Sequence, residues 1–130
     1  STLNSEWPVF EQFIRSHQTR YTLIVGNHDI IDPSRFSALA IEVSDTLNLD
    51  HIHFSHFPDH QSPNYRISGH LHPAIRLNIG SSERRTLKCF YIKNNQLVLP
   101  SFGYFTGNAR IKRSEVDQVY VIAEDQVIAI

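Results

Sequence analysis

The spacing of hydrophobic and polar positions changes about a third of the way along the chain. Near the N-terminus, large apolar residues recur at near-helical intervals: Trp7, Phe10, Phe13 and Ile14. This spacing predicts an amphipathic helix whose apolar side packs inward. Asn4 or Ser5 is expected to cap the helix, because their side chains can accept a hydrogen bond from a backbone amide in its first turn. Pro8 is expected in that first turn, where a missing amide hydrogen is tolerated.

Short apolar runs, each followed at once by Gly or His, come after this helix. We predict strands for three of them: 21–25, 52–55 and 66–68. A second helix is predicted to begin at Asp32-Pro33 and to run to about Ala40, with Phe36 and Leu39 on its inner side. The first part of the chain therefore alternates helices with short strands.

The C-terminal half is richer in strands. Two hairpins are predicted, the first joining 87–92 to 96–99 and the second joining 120–123 to 127–130. No internal repeat or low-complexity linker interrupts the chain, so we predict one domain over residues 1–130. The predicted fold class is α/β in the mixed α+β sense.

Composition and charge agree with a globular domain that works in water. The 130 residues are 41% hydrophobic and 19% charged, and no apolar run approaches the roughly 20 residues of a membrane span. A single cysteine, Cys89, suits a reducing compartment and is expected to be buried and inert, so the cytoplasm is the expected location.

The charge balance gives no overall attraction to nucleic acid. The net charge is −1 and the isoelectric point is about 6.7. Several basic residues could each meet a phosphate, although a solvated surface is the simpler explanation for them: Arg84, Arg85, Lys88, Arg110, Lys112 and Arg113.

Metal-ligand side chains are concentrated where the predicted strands end. Three segments carry them: Gly26-Asn27-His28-Asp29, Phe54-Ser55-His56-Phe57-Pro58 and Gly69-His70-Leu71-His72-Pro73. Neutral imidazole binds zinc, iron and manganese, and an Asn carbonyl adds a hard oxygen ligand. Taken singly, a turn or a structural histidine explains each segment as well as a metal site does. Their joint occurrence in this order favours metal binding.

The spacing of His70 and His72 leaves two arrangements open. On an ideal strand, residues two apart share a face. If the chain turns at Gly69 or Pro73 instead, the two side chains can straddle two neighbouring ions. The remaining histidines of this region, His51, His53 and His60, are expected to be solvated or to support the site from outside it.

The order Gly-Asn-His-Asp, then His, then Gly-His-x-His resembles the second half of a calcineurin-like metallophosphoesterase. The resemblance implies the C-terminal part of a β-sandwich flanked by helices, with two divalent ions (Mn²⁺, Zn²⁺ or Fe²⁺) that activate a water against phosphorus. It also implies a set of metal ligands: Asn27, His56 and His70 for one ion, and His72 for the other.

The resemblance gives the residues after Asn27 a different role. His28 would not bind metal but would lie beside the phosphate, stabilise developing charge and protonate the leaving oxygen. Asp29 could orient it. Further along, the segment 97–107, with Cys89-Phe90 ahead of it, resembles the ligase-associated DNA-damage-response phosphoesterases (PdeM-type). This branch implies a phosphoester substrate related to DNA repair, with DNA as a candidate partner.

One part of the family pattern is absent. The family opens with Asp-x-His and Gly-Asp, which supply ligands including the carboxylate that bridges both ions, and neither occurs in these 130 residues. We therefore expect the chain to begin just after the bridging Asp, either as a fragment or as the product of a shortened gene. Such a chain is expected to hold one ion or none, to be inactive alone, and to leave an apolar groove or sheet edge through which it could self-associate.

Two other hypotheses stay open. The chain could be a degenerate domain that keeps Asn27, His56 and His70 as a binding or structural module. It could also be a metal hydrolase of the amidohydrolase type, although the hairpins of its C-terminal half do not suit the alternating strands and helices of a barrel.

Overall fold

The computed structural model describes residues 2–27, 31–80, 82–103 and 107–130. It has the mixed α+β architecture that the sequence predicts, divided into two units, Ser1–Asp45 and Thr46–Ile130. The single-domain assignment stays a prediction.

The first unit places two helices against a pair of short parallel strands. Its elements are α1 (Thr2–Ser16), β1 (Thr22–Ile24), α2 (Pro33–Ser37) and β2 (Glu42–Ser44). Its core contains the predicted Phe36 and Leu39, together with Ile14 and Ile41. The Asp32 side chain accepts a hydrogen bond of 2.9 Å from the Ser34 amide, so α2 begins where the Asp-Pro pair predicts.

The start of α1 differs from the prediction. The helix begins at Thr2, so Asn4 and Ser5 lie inside it rather than capping it, and Pro8 lies beyond its first turn. An interior proline costs one helical hydrogen bond. Packing offsets this cost, because the Trp7 ring meets Phe36 edge-on at 5.4 Å between centroids.

The second unit is built around one large sheet. Its strands are β3 (Thr46–Leu49), β4 (Ile52–Ser55), β5 (Tyr65–Ser68), β6 (Pro73–Ile79), β7 (Glu83–Lys93), β8 (Gln96–Val98), β9 (Ala109–Arg110), β10 (Gln118–Ala123) and β11 (Gln126–Ala129), with a 3₁₀ turn at Arg113–Glu115. The sheet order is β11-β10-β7-β8-β5-β4-β3, and β6 pairs with both β7 and β9. The chain reverses through tight turns, such as Asn94-Asn95 between β7 and β8, where both residues have positive φ.

Both predicted hairpins are present, as β7–β8 and β10–β11. The unit's core lies where β7, β8 and β10 meet, and it comprises Ile75, Cys89, Tyr91, Val98, Val119 and Val121. Burial raises the pKa of the Cys89 thiol to about 11, which keeps it protonated and unreactive at neutral pH.

An apolar groove of about 610 Å³ crosses one face of the same sheet, lined in part by Ile52, Tyr65, Ile67 and Leu97. Among the described residues, no helix combines the length and apolar character needed to cross a membrane.

Three strands of the sheet run parallel, and their register determines what meets at their ends. β5 pairs with β4 on one side and with β8 on the other, and Ser68 lies level with Ser55 and Val98. The carboxyl ends of these strands therefore share one edge of the sheet, which is where ligands bind in open sheets of parallel strands.

Candidate metal centre at the strand ends

His56 and His70 are brought together by the pairing of β4 and β5. The parallel pairing continues one residue past Ser55 and Ser68, because the Gly69 amide donates a 3.1 Å hydrogen bond to the His56 carbonyl. His70 is the next residue. Its Nδ1 lies 3.0 Å from His56 Nε2. Residues fourteen positions apart thus converge because of strand register.

The chain turns sharply at His70. The Leu71 amide donates a 2.8 Å hydrogen bond to the Gly69 carbonyl across a single residue, and His70 at its centre has φ 70°. This is the positive-φ γ-turn, a rare and strained conformation. His72 also has positive φ, at 51°. The two histidines therefore lie in a turning segment, and the ideal-strand arrangement does not occur.

The separation of His56 Nε2 and His70 Nδ1 is that of an N–H···N hydrogen bond between the two rings. Two imidazole nitrogens that bind one ion at about 2.1 Å lie about 3.0–3.4 Å apart, so a similar spacing would also serve a shared ion. Among the described residues, no group of three or more His, Cys, Asp or Glu side chains could hold an ion, so a complete site requires donors besides this pair.

His72 has one ring nitrogen committed to the backbone. Its Nδ1 lies 3.0 Å from the Gly107 carbonyl oxygen, which can only accept, so Nδ1 carries the hydrogen. In the neutral ring this leaves the Nε2 lone pair for another partner. Metal-binding histidines commonly have this arrangement, because the hydrogen bond fixes both the tautomer and the ring orientation.

Phe57 packs against both imidazoles of the pair. Its ring centroid lies 4.8 Å from that of His56 and 4.4 Å from that of His70. A relay of hydrogen bonds holds its backbone, since Arg66 Nη1 donates to Ser55 Oγ and Ser55 Oγ donates to the Phe57 carbonyl, both at 2.7 Å. The sequence analysis gave these three residues no role, although the alternation along β5 and the phenylalanine after His56 were visible signals.

Two buried polar atoms beside this relay have no partner in the described part of the chain, Arg66 Nε and Ser68 Oγ. Ser68 is 2% exposed and directly precedes Gly69. A buried hydroxyl without a hydrogen bond is costly, so its presence at the strand end is consistent with a polar environment there.

The other histidines of this region have structural contacts. His60 stacks on Tyr91 with 5.8 Å between ring centroids, and burial lowers its pKa, with Lys93 adding to the effect. His51 is exposed, with φ 68°, in the turn between β3 and β4. His60 therefore packs against the sheet core through Tyr91, and its expected supporting place outside the metal site stays a prediction.

The remaining predicted residues belong to the segment after β1. Asn27 lies in the first unit, three residues beyond the end of β1. His28 and Asp29 lie outside the described residues. The convergence of Asn27 with the histidine pair, and the acid role of His28, stay predictions.

Comparison with solved structures finds a nuclease among the chains that are similar to this one. The chain is similar to the crystal structure of the nuclease MPE from Pseudomonas putida, with 28% sequence identity and a TM-score of 0.75. The similarity covers 92% of this chain but only 59% of that nuclease. No protein-family model matches the chain, and no curated protein matches it. The chain thus has a phosphoesterase- or nuclease-like fold.

Proposed function

We propose that this chain belongs to a metal-dependent phosphodiesterase of the nuclease type, and that it supplies part of the dimetal site. The observation that carries the proposal is the 3.0 Å approach of His56 Nε2 and His70 Nδ1 at the carboxyl ends of parallel strands. The similarity to a nuclease over most of this chain supports it independently.

In this proposal each sequence-predicted ligand has one task. His56 and His70, with Asn27, hold one divalent ion, and His72 binds the second through its Nε2. Two such ions would supply positive charge that stabilises the charge developing on a phosphodiester. Phe57 packs against both imidazoles and would hold the two rings in place. His28 donates the proton to the leaving oxygen, and Asp29 orients that ring.

The finer assignments also belong to the proposal. The resemblance of segment 97–107 to the DNA-damage-response branch makes DNA the proposed substrate. The single cysteine makes a reducing compartment, the cytoplasm, the proposed location. Mn²⁺, Zn²⁺ and Fe²⁺ all suit the imidazole-rich donor set. Because the 130 residues contain neither Asp-x-His nor Gly-Asp, we propose that they do not hydrolyse phosphodiesters alone.

The alternative is a degenerate domain that acts as a binding or structural module. The observation that favours it is the histidine pair itself, which lacks a third His, Cys, Asp or Glu ligand among the described residues. An exposed apolar edge would give such a module a contact surface. Edge strand β11 carries Val127 and Ile128, which are 61% and 42% exposed, so self-association is proposed to occur through this edge.

Metal binding and activity distinguish the two functions. We would titrate the 130-residue chain with Co²⁺ or Zn²⁺ by calorimetry, and compare the His70→Ala variant with His51→Asn, which alters an exposed turn histidine. Aryl phosphodiester hydrolysis would then be assayed for this chain and for a longer polypeptide in which Asp-x-His and Gly-Asp segments precede it.

The proposed enzyme requires metal-dependent turnover by the longer polypeptide, lost in His70→Ala and retained in His51→Asn. Metal binding without turnover in either polypeptide would favour the binding module. Turnover by the 130-residue chain, abolished by His70→Ala, would mean that a carboxylate within these residues bridges the ions.

A further inference from the structure

Basic side chains share one face of the sheet formed by β6, β7 and β9. In the antiparallel register Arg76 lies opposite Thr86, Asn78 opposite Arg84, and Ala74 opposite Lys88. The parallel register of β9 adds Arg110 beside Ala74. Cross-strand partners and every second residue along a strand point to the same side. We call this side the basic face: Arg76, Asn78, Arg84, Thr86, Lys88 and Arg110.

The charge on the basic face is of one sign. Four of its six residues are cationic and none is acidic. In the described part of the chain, the ion pairs are Arg15–Glu11 and Arg20–Glu42, and neither involves this face. Because the whole molecule carries a net charge of −1, the concentration of positive charge here comes from its placement rather than from composition.

The opposite side of the same strands is apolar where it meets the core, and it carries the exposed Glu83 and Arg85 at its outer end. Ile75, Leu77 and Leu87 belong to or pack against the core of the second unit. Sheets with one packed face leave the other to solvent. Arg76, Arg84 and Arg110 are accordingly exposed, and Lys88 is half-buried, with its Nζ donating to the Ser101 carbonyl at 3.2 Å.

The basic face begins next to a candidate metal ligand. His72 immediately precedes β6, and the segment that accepts its Nδ1 hydrogen bond leads directly into β9. From there the cations extend along β6 and β7 toward the Gly80 turn. Same-face residues on a strand are about 6.8 Å apart, so Arg76 lies about two such steps from His72 along the chain.

We infer that the basic face binds the sugar–phosphate backbone of a nucleic acid and guides it to His72. The inference rests on the proposed function, because it describes how the nucleic-acid substrate of that site is held. None of the six residues of the basic face is aromatic, so the face itself offers contacts to phosphate rather than a surface for stacking bases. The exposed Phe102 lies beside it, between the two residues whose carbonyls accept hydrogen bonds from Lys88 Nζ. Contacts of this kind position a nucleic acid without reading its sequence.

Arg84 and Arg85 form a matched pair for the test. They are adjacent, exposed and equally charged, but Arg84 belongs to the basic face while Arg85 lies opposite Leu77 on the other side. We would measure binding of a fluorescein-labelled 20-base-pair duplex by anisotropy at several salt concentrations. EDTA would be present, so that neither metal nor hydrolysis contributes. Circular dichroism would check that each variant folds.

Neutralising one phosphate contact lowers the slope of log affinity against log salt by about 0.9, and this corresponds to about eightfold weaker binding at 0.1 M salt. We expect this loss for Arg84→Gln and a further, similar loss for the Arg76→Gln/Arg84→Gln double variant. Arg85→Gln is expected to bind like the unaltered chain.

Equal losses for Arg84→Gln and Arg85→Gln would overturn the inference, because the effect would follow net charge alone. Tighter binding to polyglutamate or to anionic vesicles than to the duplex would also overturn it. A preference of more than about tenfold for single strands would show that stacking dominates instead. The EDTA assay does not depend on hydrolysis, so an enzyme without activity could still bind as inferred.

Discussion

The ring of His60 stacks on that of Tyr91, and the Tyr91 hydroxyl lies 3.1 Å from His60 Nε2. A neutral imidazole can accept this hydrogen bond through an Nε2 lone pair, whereas a protonated ring can only donate there. Tyr91 is 4% exposed and belongs to the core of the sheet, so this contact attaches the loop that follows His56 to that core. A titratable group therefore takes part in holding the loop beside the candidate metal centre.

Acid is expected to loosen this contact. Burial, with Lys93 adding to it, lowers the pKa of folded His60 below the ordinary 6.5, so the unfolded chain takes up the proton first. The contribution of His60 to the free energy of unfolding is therefore complete above about pH 6.5 and falls as the pH drops toward the folded pKa. Urea unfolding between pH 5 and pH 7.5 measures it. His60→Gln should flatten the dependence, and His51→Asn should leave it unchanged.

Gln96 provides a second attachment of the same loop. It is fully buried, accepts from the Asp59 amide at 3.3 Å and donates to the Asn64 carbonyl at 3.1 Å. Gln96→Leu keeps the volume but leaves two loop groups without partners, and we expect it to lower the free energy of unfolding by about 2–4 kcal/mol. Gln126→Leu, on exposed β11, is the control and should change it by less than about 0.5 kcal/mol. Similar losses in both variants would contradict the role of the buried amide.

The strained backbone conformation of His70 can be tested in the absence of metal. A β-branched residue at positive φ is strained, so His70→Val is expected to cost about 1–3 kcal/mol of stability in metal-free buffer. Asn tolerates this conformation, so His70→Asn should lose only the contacts of the imidazole with His56 and Phe57 and remain about 1 kcal/mol or more above His70→Val in stability. His53→Val places the same side chain in the middle of β4 and serves as control. A stable His70→Val would mean that the turn relaxes at no cost.

The general-acid role of His28 predicts a dependence on the leaving group. In a longer, active polypeptide, His28→Ala is expected to bind metal but to hydrolyse alkyl phosphodiesters about 10²- to 10⁴-fold more slowly. The loss should be smaller with nitrophenolate, which leaves without a proton. Initial rates on the two substrates measure the difference. Equal losses on both would point to charge stabilisation by His28 rather than proton transfer.

The sequence predicts the elements that carry the site because their signals are local. The apolar run before His56 and the Asp-Pro start of α2 each occupy only a few residues. The strand β6 was not predicted from the sequence. Its first three residues are all buried, so apolar and polar residues do not alternate along it before Arg76. The basic face was not predicted either. Its residues come to one side of the sheet only through the pairing of β6 with β7 and β9, and no single strand's sequence specifies that pairing.

The backbone conformation of His70 also could not be predicted from the residues next to it in the sequence. Its positive φ follows from β5 ending level with β4 and from the chain turning into β6, and residue preference alone does not require it. The sequence therefore indicates which residue types could bind a metal ion, and their role as ligands stays a prediction.

β7 belongs to two structures along its eleven residues. Its first part, Glu83 to Lys88, pairs with β6. Its second part, which includes Cys89 and Tyr91, is hydrogen-bonded to β10 and β8 in the large sheet. Amide hydrogens along this one strand should therefore exchange with solvent over a wide range of rates, fastest near Arg84 and slowest near Tyr91. The part of β7 around Arg84 can therefore open and adapt to a partner, while the part around Tyr91 stays anchored in the core.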